Sequence, residues 1–156
     1  MQWLTRIVDE VQQRHPEGEI IVSSGVSPSG TYHVGHLREV LTADAVLLEL
    51  KKQGRQVKHL HMVDDLDALR KIPPNIPKEF EKYLGQALCD VPAPDGSERS
   101  FANFFFDPFL ESINKLGIEL EVIRSHQKYR DGFFAPAIEH VLEHPEEVRD
   151  VLETIS

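Results

Sequence analysis

Trp3, Leu4, Ile7, Val8 and Val11 recur at helical spacing, and Pro16 and Gly18 close the segment, so the chain is predicted to open with a helix. Residues 19–24 are short, apolar and β-branched and run into a Gly/Ser/Pro loop at 25–30, the pattern of a buried strand. A second helix is predicted from about 35 to 53. Leu37, Val40, Leu41, Val46, Leu47 and Leu50 give it a broad apolar face, and Gly54 stands where a C-terminal cap belongs. Residues 57–62 read as a second strand that ends in Val63-Asp64-Asp65-Leu66-Asp67.

The middle is less regular. Residues 72–78 hold three of the chain's 10 prolines and 92–98 hold two more, so 72–100 reads as an insertion-like run of loops around a short element near 79–84. From Ser100 onward, five phenylalanines (101, 104, 105, 106 and 109) join Leu110, Ile113 and Leu116 in a buried helix closed by Gly117, which Pro108 should kink or shorten. A third strand is predicted at 118–123, leading to a loop at Ser125-His126-Gln127. An acidic helical tail from about 133, broken at Pro145, completes the pattern. Strands alternating with helices predict a parallel α/β sheet with helices on both faces. Ligands of such sheets sit at the carboxyl ends of strands, which directs attention to residues 24–36, 63–67 and 124–127.

Composition narrows the function. Lys and Arg number 17 against 26 Asp and Glu, a net charge of −9, so the chain is not a basic nucleic-acid coat, although a local nucleotide pocket remains compatible. The single cysteine, Cys89, excludes an internal disulfide framework and a Cys-rich zinc module; it reads as inert packing and fits a reducing cytosol. The first 15 residues carry Asp9 and Glu10 and no apolar secretory run, and no stretch reaches the length of a membrane span. The expected location is cytoplasmic.

Neither the P-loop nor the G-x-G-x-x-G pattern occurs. The candidate is Ser27-Pro28-Ser29-Gly30-Thr31-Tyr32-His33-Val34-Gly35-His36, a tight turn off a strand followed by two histidines at the start of a long helix. His33 and His36 then share one side of the first turn, where free N–H groups and a partial positive charge suit a phosphate, and Gly35 lets a flat group approach the backbone. The bland alternative is a surface cap with incidental histidines; a metal pair lacks a third ligand nearby. In the second constellation, His59 and His61 share one strand face, and Asp64, Asp65 and Asp67 crowd the strand's end. Three carboxylates there need a cation: Mg²⁺ riding on a nucleotide, a substrate ammonium, or Arg70 and Lys71. Helix capping by Asp64 or Asp65 is the plain alternative. His126 is a weaker site candidate, and the phenylalanine cluster reads as core.

These residues resemble a known family. Ser24 to Gly30 followed by His33-Val34-Gly35-His36 resemble the HIGH signature of class I aminoacyl-tRNA synthetases, and of the archaeal-type class I lysyl enzymes in particular. His59-x-His61-Met62-x-Asp64-Asp65-x-Asp67, Asn75-Ile76-Pro77, Tyr83-Leu84-Gly85, Val91-Pro92, Lys115 to Glu119, Tyr129 and Gly132 extend the likeness across nearly all of residues 1–135 in order. The resemblance implies a Rossmann-like (HUP-type) domain that activates L-lysine with ATP and Mg²⁺ and charges tRNA(Lys). His33 and His36 are then the catalytic pair. Ser29, Gly30, His33, Gly35 and His36 bind ATP, with Gly35 under the adenosine. Gly25, Ser27, Asp64, Asp65 and Asp67 meet the amino acid.

Three departures shape the expectation. The family's second catalytic half, KMSKS loop and anticodon-binding domain have no counterpart in these 156 residues, so the chain is expected to be an N-terminal portion, incomplete and inactive alone. It would be completed by a C-terminal polypeptide and reach tRNA through regions not present. Second, the positions where some members hold metal read Ala93, Ser97, Glu98 and Phe104, so no structural zinc is expected. Third, Val63 replaces a common aromatic. A small stand-alone HxGH nucleotidyltransferase and a non-catalytic synthetase-derived binding module remain alternatives.

Overall fold

The computed structural model describes residues 2–155. Helix α1 (Gln2–Arg14) leads into β1 (Ile20–Val26), α2 (Val34–Lys52) and β2 (Val57–Val63). A short 3₁₀ turn (Lys78–Tyr83) interrupts the middle segment. Then come α3 (Phe101–Lys115), β3 (Glu121–Arg124), α4 (Ser125–Arg130), α5 (Ala135–Glu143) and α6 (Pro145–Ile155).

The three strands form one parallel sheet in the order β1-β2-β3. Ile20 pairs with Val57 and Val26 with Val63; Leu60 pairs with Glu121 and Val63 with Arg124. Along β2 the period of two is clean: Val57, His59, His61 and Val63 are buried, while Lys58 and Met62 are exposed. The α/β parallel reading holds. Both crossovers advance the sheet in the same direction, so right-handedness puts both on one face. There Val46, Leu47 and Leu50 of α2 pack with Ile20 and Val57. Val40 of α2 and Phe106, Phe109 and Ile113 of α3 pack on Val63. The opposite face, where helices were also expected, carries Ile21 at 56% exposure and Met62 at 37%.

The insertion-like segment is less loose than its prolines suggest. Leu69, Ile76, Leu88 and Val91 form a core of their own against Phe101, Ala102 and Phe105. Leu69 N–H bonds to Gln86 C=O at 2.8 Å and Leu88 N–H to Asp67 C=O at 3.0 Å, tying the segment to the end of β2.

Three predicted features shift. Helix α3 runs unbroken through Pro108 for 15 residues. An interior proline costs about 3 kcal/mol, but α3 buries Phe101, Phe105, Phe106, Phe109 and Ile113. At about 1.5–3 kcal/mol each, those side chains outweigh the proline. Strand β3 begins at Glu121 rather than at 118. Ile118 instead closes α3: Gly117 takes φ +72°, its N–H bonds to Asn114 C=O, and Ile118 N–H reaches back to Ile113 C=O at 3.3 Å. That is a Schellman stop, and its apolar staple is Ile118 against Ile113. Finally, Ser125 to Gln127 is not a loop but the start of α4.

Candidate functional site

The Gly/Pro turn after β1 delivers residues 27–33 to the carboxyl end of the sheet, and His33 becomes the N-cap of α2 with extended backbone (φ −140°, ψ 177°). The two histidines cap the helix reciprocally. Gly35 N–H donates to His33 Nδ1 at 3.1 Å, and His33 N–H donates to His36 Nδ1 at 3.1 Å. A ring nitrogen that accepts from a backbone N–H carries no proton. Each neutral ring therefore holds its hydrogen on Nε2, as a donor. The rings sit 4.1 Å apart, with His33 exposed and His36 half-buried. Burial first, and the neighbouring His33 second, hold His36 below the usual histidine range, so it is neutral at pH 7. Gly35 has a steric reason to be glycine: a Cβ there would lie 2.8 Å from the folded-back His33 ring. The result is a pair of imidazole donors at the positive end of a 19-residue helix, an arrangement that suits an anion.

The loop ahead of this turn is held from below. Gly25 N–H donates to Glu39 of α2 at 2.7 Å, and a Cβ on Gly25 would stand 3.1 Å from Met62 C=O of β2. Ser27 Oγ is 3.4 Å from Asp67 Oδ2. Ser29 N–H bonds to Ser27 C=O at 2.9 Å, and Gly30 faces Pro73 of the inserted segment. Beside the turn lies a cleft of about 650 Å³, walled by Tyr32, Leu37, Phe104, Phe105 and Phe109, with His33, Asn75 and Arg99 at its rim. Phe101, Phe105, Phe106 and Phe109 are core, as read, while Phe104 lines the cleft half-buried.

The expected carboxylate trio separates. Asp64 is exposed, Asp67 is half-buried and Asp65 is fully buried. Asp65 accepts from His126 N–H (3.0 Å), His126 Nδ1 (2.7 Å) and Arg124 (3.4 Å), with Ser125 Oγ at 3.1 Å. Protein donors meet both of its oxygens, and the acid caps α4. The parity of β2 carried the signal, because Asp65 continues the buried series 57, 59, 61, 63. The cation that offsets the trio is partly Arg70, 2.7 Å from Asp67, and partly Arg124, which sequence reasoning missed. Arg124 also lies over the Phe106 ring at 4.5 Å. His126 belongs to this buried knot through Asp65. Among the described residues no three His, Cys, Asp or Glu side chains converge as a metal cage. Burial first, then the neighbouring Asp90, pushes the Cys89 thiol up, consistent with inert packing.

Comparison with known proteins addresses the whole chain. Lysine–tRNA ligase of Methanococcus maripaludis is 39% identical over 154 residues, covering 99% of this chain and 29% of that protein. The Methanocaldococcus jannaschii lysine–tRNA ligase is 38% identical over 97% of this chain. The Pyrococcus horikoshii one is 36% identical over 96%. In both, the match covers 29% of the relative. The chain thus spans less than a third of the length of these curated relatives. The family model for "tRNA synthetases class I (K)" matches residues 1–156, and the chain belongs to that family.

Proposed function

We propose that this chain supplies the ATP-binding portion of a class I lysine–tRNA ligase, residues 1–156 forming the N-terminal part of its catalytic domain. One observation carries the reading: two imidazoles, each accepting a backbone N–H at Nδ1 and so turning Nε2 outward as a donor, stand at the start of α2 beside the carboxyl end of β1. The names of the relatives supply the substrate class, lysine and tRNA.

In the first step a lysine carboxylate oxygen attacks the α-phosphorus of ATP. The bond to the β-phosphate oxygen breaks, giving lysyl-adenylate and pyrophosphate. In the second, a tRNA ribose hydroxyl attacks the lysyl carbonyl carbon and AMP leaves. No covalent enzyme intermediate is needed, so the protein's task is positioning and charge stabilisation. His33 and His36 donate to phosphate oxygens as charge builds in the in-line displacement. Ser29 and Gly30 shape the phosphate turn, and Gly35 offers backbone to the adenosine. Gly25 and Ser27 meet the lysine, with the Asp64 and Asp67 carboxylates for its ammonium. Mg²⁺ enters with the nucleotide and offsets phosphate charge. At −9 the chain is a poor RNA binder, so tRNA contact and the rest of the pocket belong to regions outside it, in the same or a complementing polypeptide. The enzyme is assigned to the cytoplasm; no described helix is long and apolar enough to cross a membrane.

ATP titrations followed by ³¹P NMR test the site. Wild type is expected to bind ATP weakly, and His33→Ala and His36→Ala to lose at least tenfold in affinity. Unchanged affinity in both variants removes the site. Lysine-dependent ATP–pyrophosphate exchange is expected only after a polypeptide supplying the remaining length of the relatives is added. Exchange by the chain alone overturns the half-site reading.

A further inference from the structure

Beneath the same loop lies a polar cluster that the reaction above does not use. Ser24, His59 and His61 are 6%, 3% and 1% exposed. Ser24 Oγ sits 2.8 Å from His59 Nε2 and 2.7 Å from His61 Nδ1. The outer nitrogens, His59 Nδ1 and His61 Nε2, are buried without a partner.

A serine hydroxyl has one hydrogen. Between two neutral imidazoles it must donate to one and accept from the other, so the three groups form a chain with a direction. Only two arrangements exist. Either both rings carry their hydrogen on Nδ1, or both carry it on Nε2. A change of direction moves all three protons together.

In either arrangement the two rings share one tautomer. Asp44 of α2 acts on His59 to favour a proton. On His61, Glu39 of α2 acts in the same sense, and Arg124 of β3, a smaller influence, acts against it. The His61 ring lies against Phe106 and Phe109 of α3, at 5.9 and 6.2 Å between centroids. Tyr32 packs on the same two rings, and its buried hydroxyl is also without a partner. Burial raises the Tyr32 pKa well above its ordinary value, so the hydroxyl keeps its hydrogen.

We propose that Ser24 is a positioning residue at the centre of a one-way hydrogen-bond chain through His59 Nε2 and His61 Nδ1, which pins the end of β1 to β2 directly under the Gly25–Ser27 loop. Both buried histidines then carry the same tautomer, Nδ1–H in one direction of the chain and Nε2–H in the other. The inference does not depend on the proposed reaction, since it concerns only how the loop is held.

Long-range ¹H–¹⁵N spectra of histidine-labelled wild-type protein at pH 7 read the tautomers directly. His59 and His61 are expected as neutral rings of one shared tautomer, and His33 and His36 as Nε2–H rings. Unlike tautomers at His59 and His61, or a doubly protonated ring at either, overturn the chain, and this measurement needs no variant. Ser24→Ala is expected to release both tautomers and to shift the Gly25 and Ser27 amide resonances; Ser24→Thr, which keeps the hydroxyl, is expected to restore them. Unmoved Gly25 and Ser27 amides in Ser24→Ala overturn the positioning role. Should Ser24→Ala fail to fold, Ser24→Thr with one shared tautomer at His59 and His61 supports the chain and Ser24→Thr with unlike tautomers opposes it.

Discussion

A carboxylate with no exposed surface is tolerated only where donors surround it, and Asp65 is 0% exposed with a guanidinium, an imidazole, a hydroxyl and a backbone N–H against it. Its neighbour Asp64 is exposed, with Ser125 Oγ at 3.1 Å. The two adjacent acids therefore have opposite value to the fold. Replacing Asp65 by Ala leaves Arg124, 16% exposed, without its buried counter-charge and uncaps α4. The expected loss is about 3–5 kcal/mol. Asp64→Ala is expected to stay within about 0.5 kcal/mol of wild type. Urea denaturation of both variants measures the contrast, and equal losses would contradict the buried-knot assignment. At this scale the HxGH pair was readable, because a Gly/Pro turn between a strand and a helix is a local pattern. Which carboxylate turned inward was not read, although strand parity held the answer. The reciprocal cap, and with it the tautomers, depends on ring orientation that residue types do not encode.

Elements bounded by local chemistry fell where the pattern placed them. Helix α2 ends in a Schellman turn at Gly54, with φ +82° and Arg55 N–H bonding Leu50 C=O at 3.1 Å, so its stop is written in three adjacent residues. Elements set by distant partners did not. Helix α4 takes its cap from Asp65, 61 residues away, and no nearby residue announces it. Ile118 was read as strand because a staple and a strand residue are both simply apolar. Pro108 was read as kinking or shortening the helix because propensity weighs only the local cost, whereas five buried side chains on α3 carry it through to Lys115. The proline's cost is then still stored in the helix. Pro108 is exposed, so Pro108→Ala forfeits little packing and restores a donor for the Phe104 carbonyl one turn back. The expected gain is about 1–3 kcal/mol. Thermal melts compare the two proteins; a variant less stable than wild type shows instead that α3 is built around the ring.

At the scale of the molecule, one sheet face is covered and the other presents Ile21 and Met62, while α5 and α6 bury no residue at all. Beside the inserted segment's own core, most of the buried apolar side chains lie in the α2–sheet–α3 layer, and that layer contains the His59–Ser24–His61 cluster. Burial lowers the pKa of His59 and His36 and takes His61 from the ordinary 6.5 down to about 4. A folded state that holds its histidines below their unfolded pKa binds fewer protons than the unfolded chain between those values. The stabilisation is complete above pH 6.5, drains as the pH falls from 6.5 towards about 4, and does not decline further below that. For His61 alone the full span is on the order of 3 kcal/mol. For a layer that carries most of the core, this is a large share of a domain's margin of about 5–15 kcal/mol. Acid sensitivity is thus expected to begin in the histidine range, above the range where Asp and Glu titrate. Urea unfolding at pH 7.5, 6 and 5 is expected to show a stepwise fall in midpoint. A midpoint constant from pH 7.5 to 5 would mean that the buried imidazoles take up protons as readily in the folded protein as in the unfolded chain, which the apolar contacts of His61 with Phe106 and Phe109 oppose.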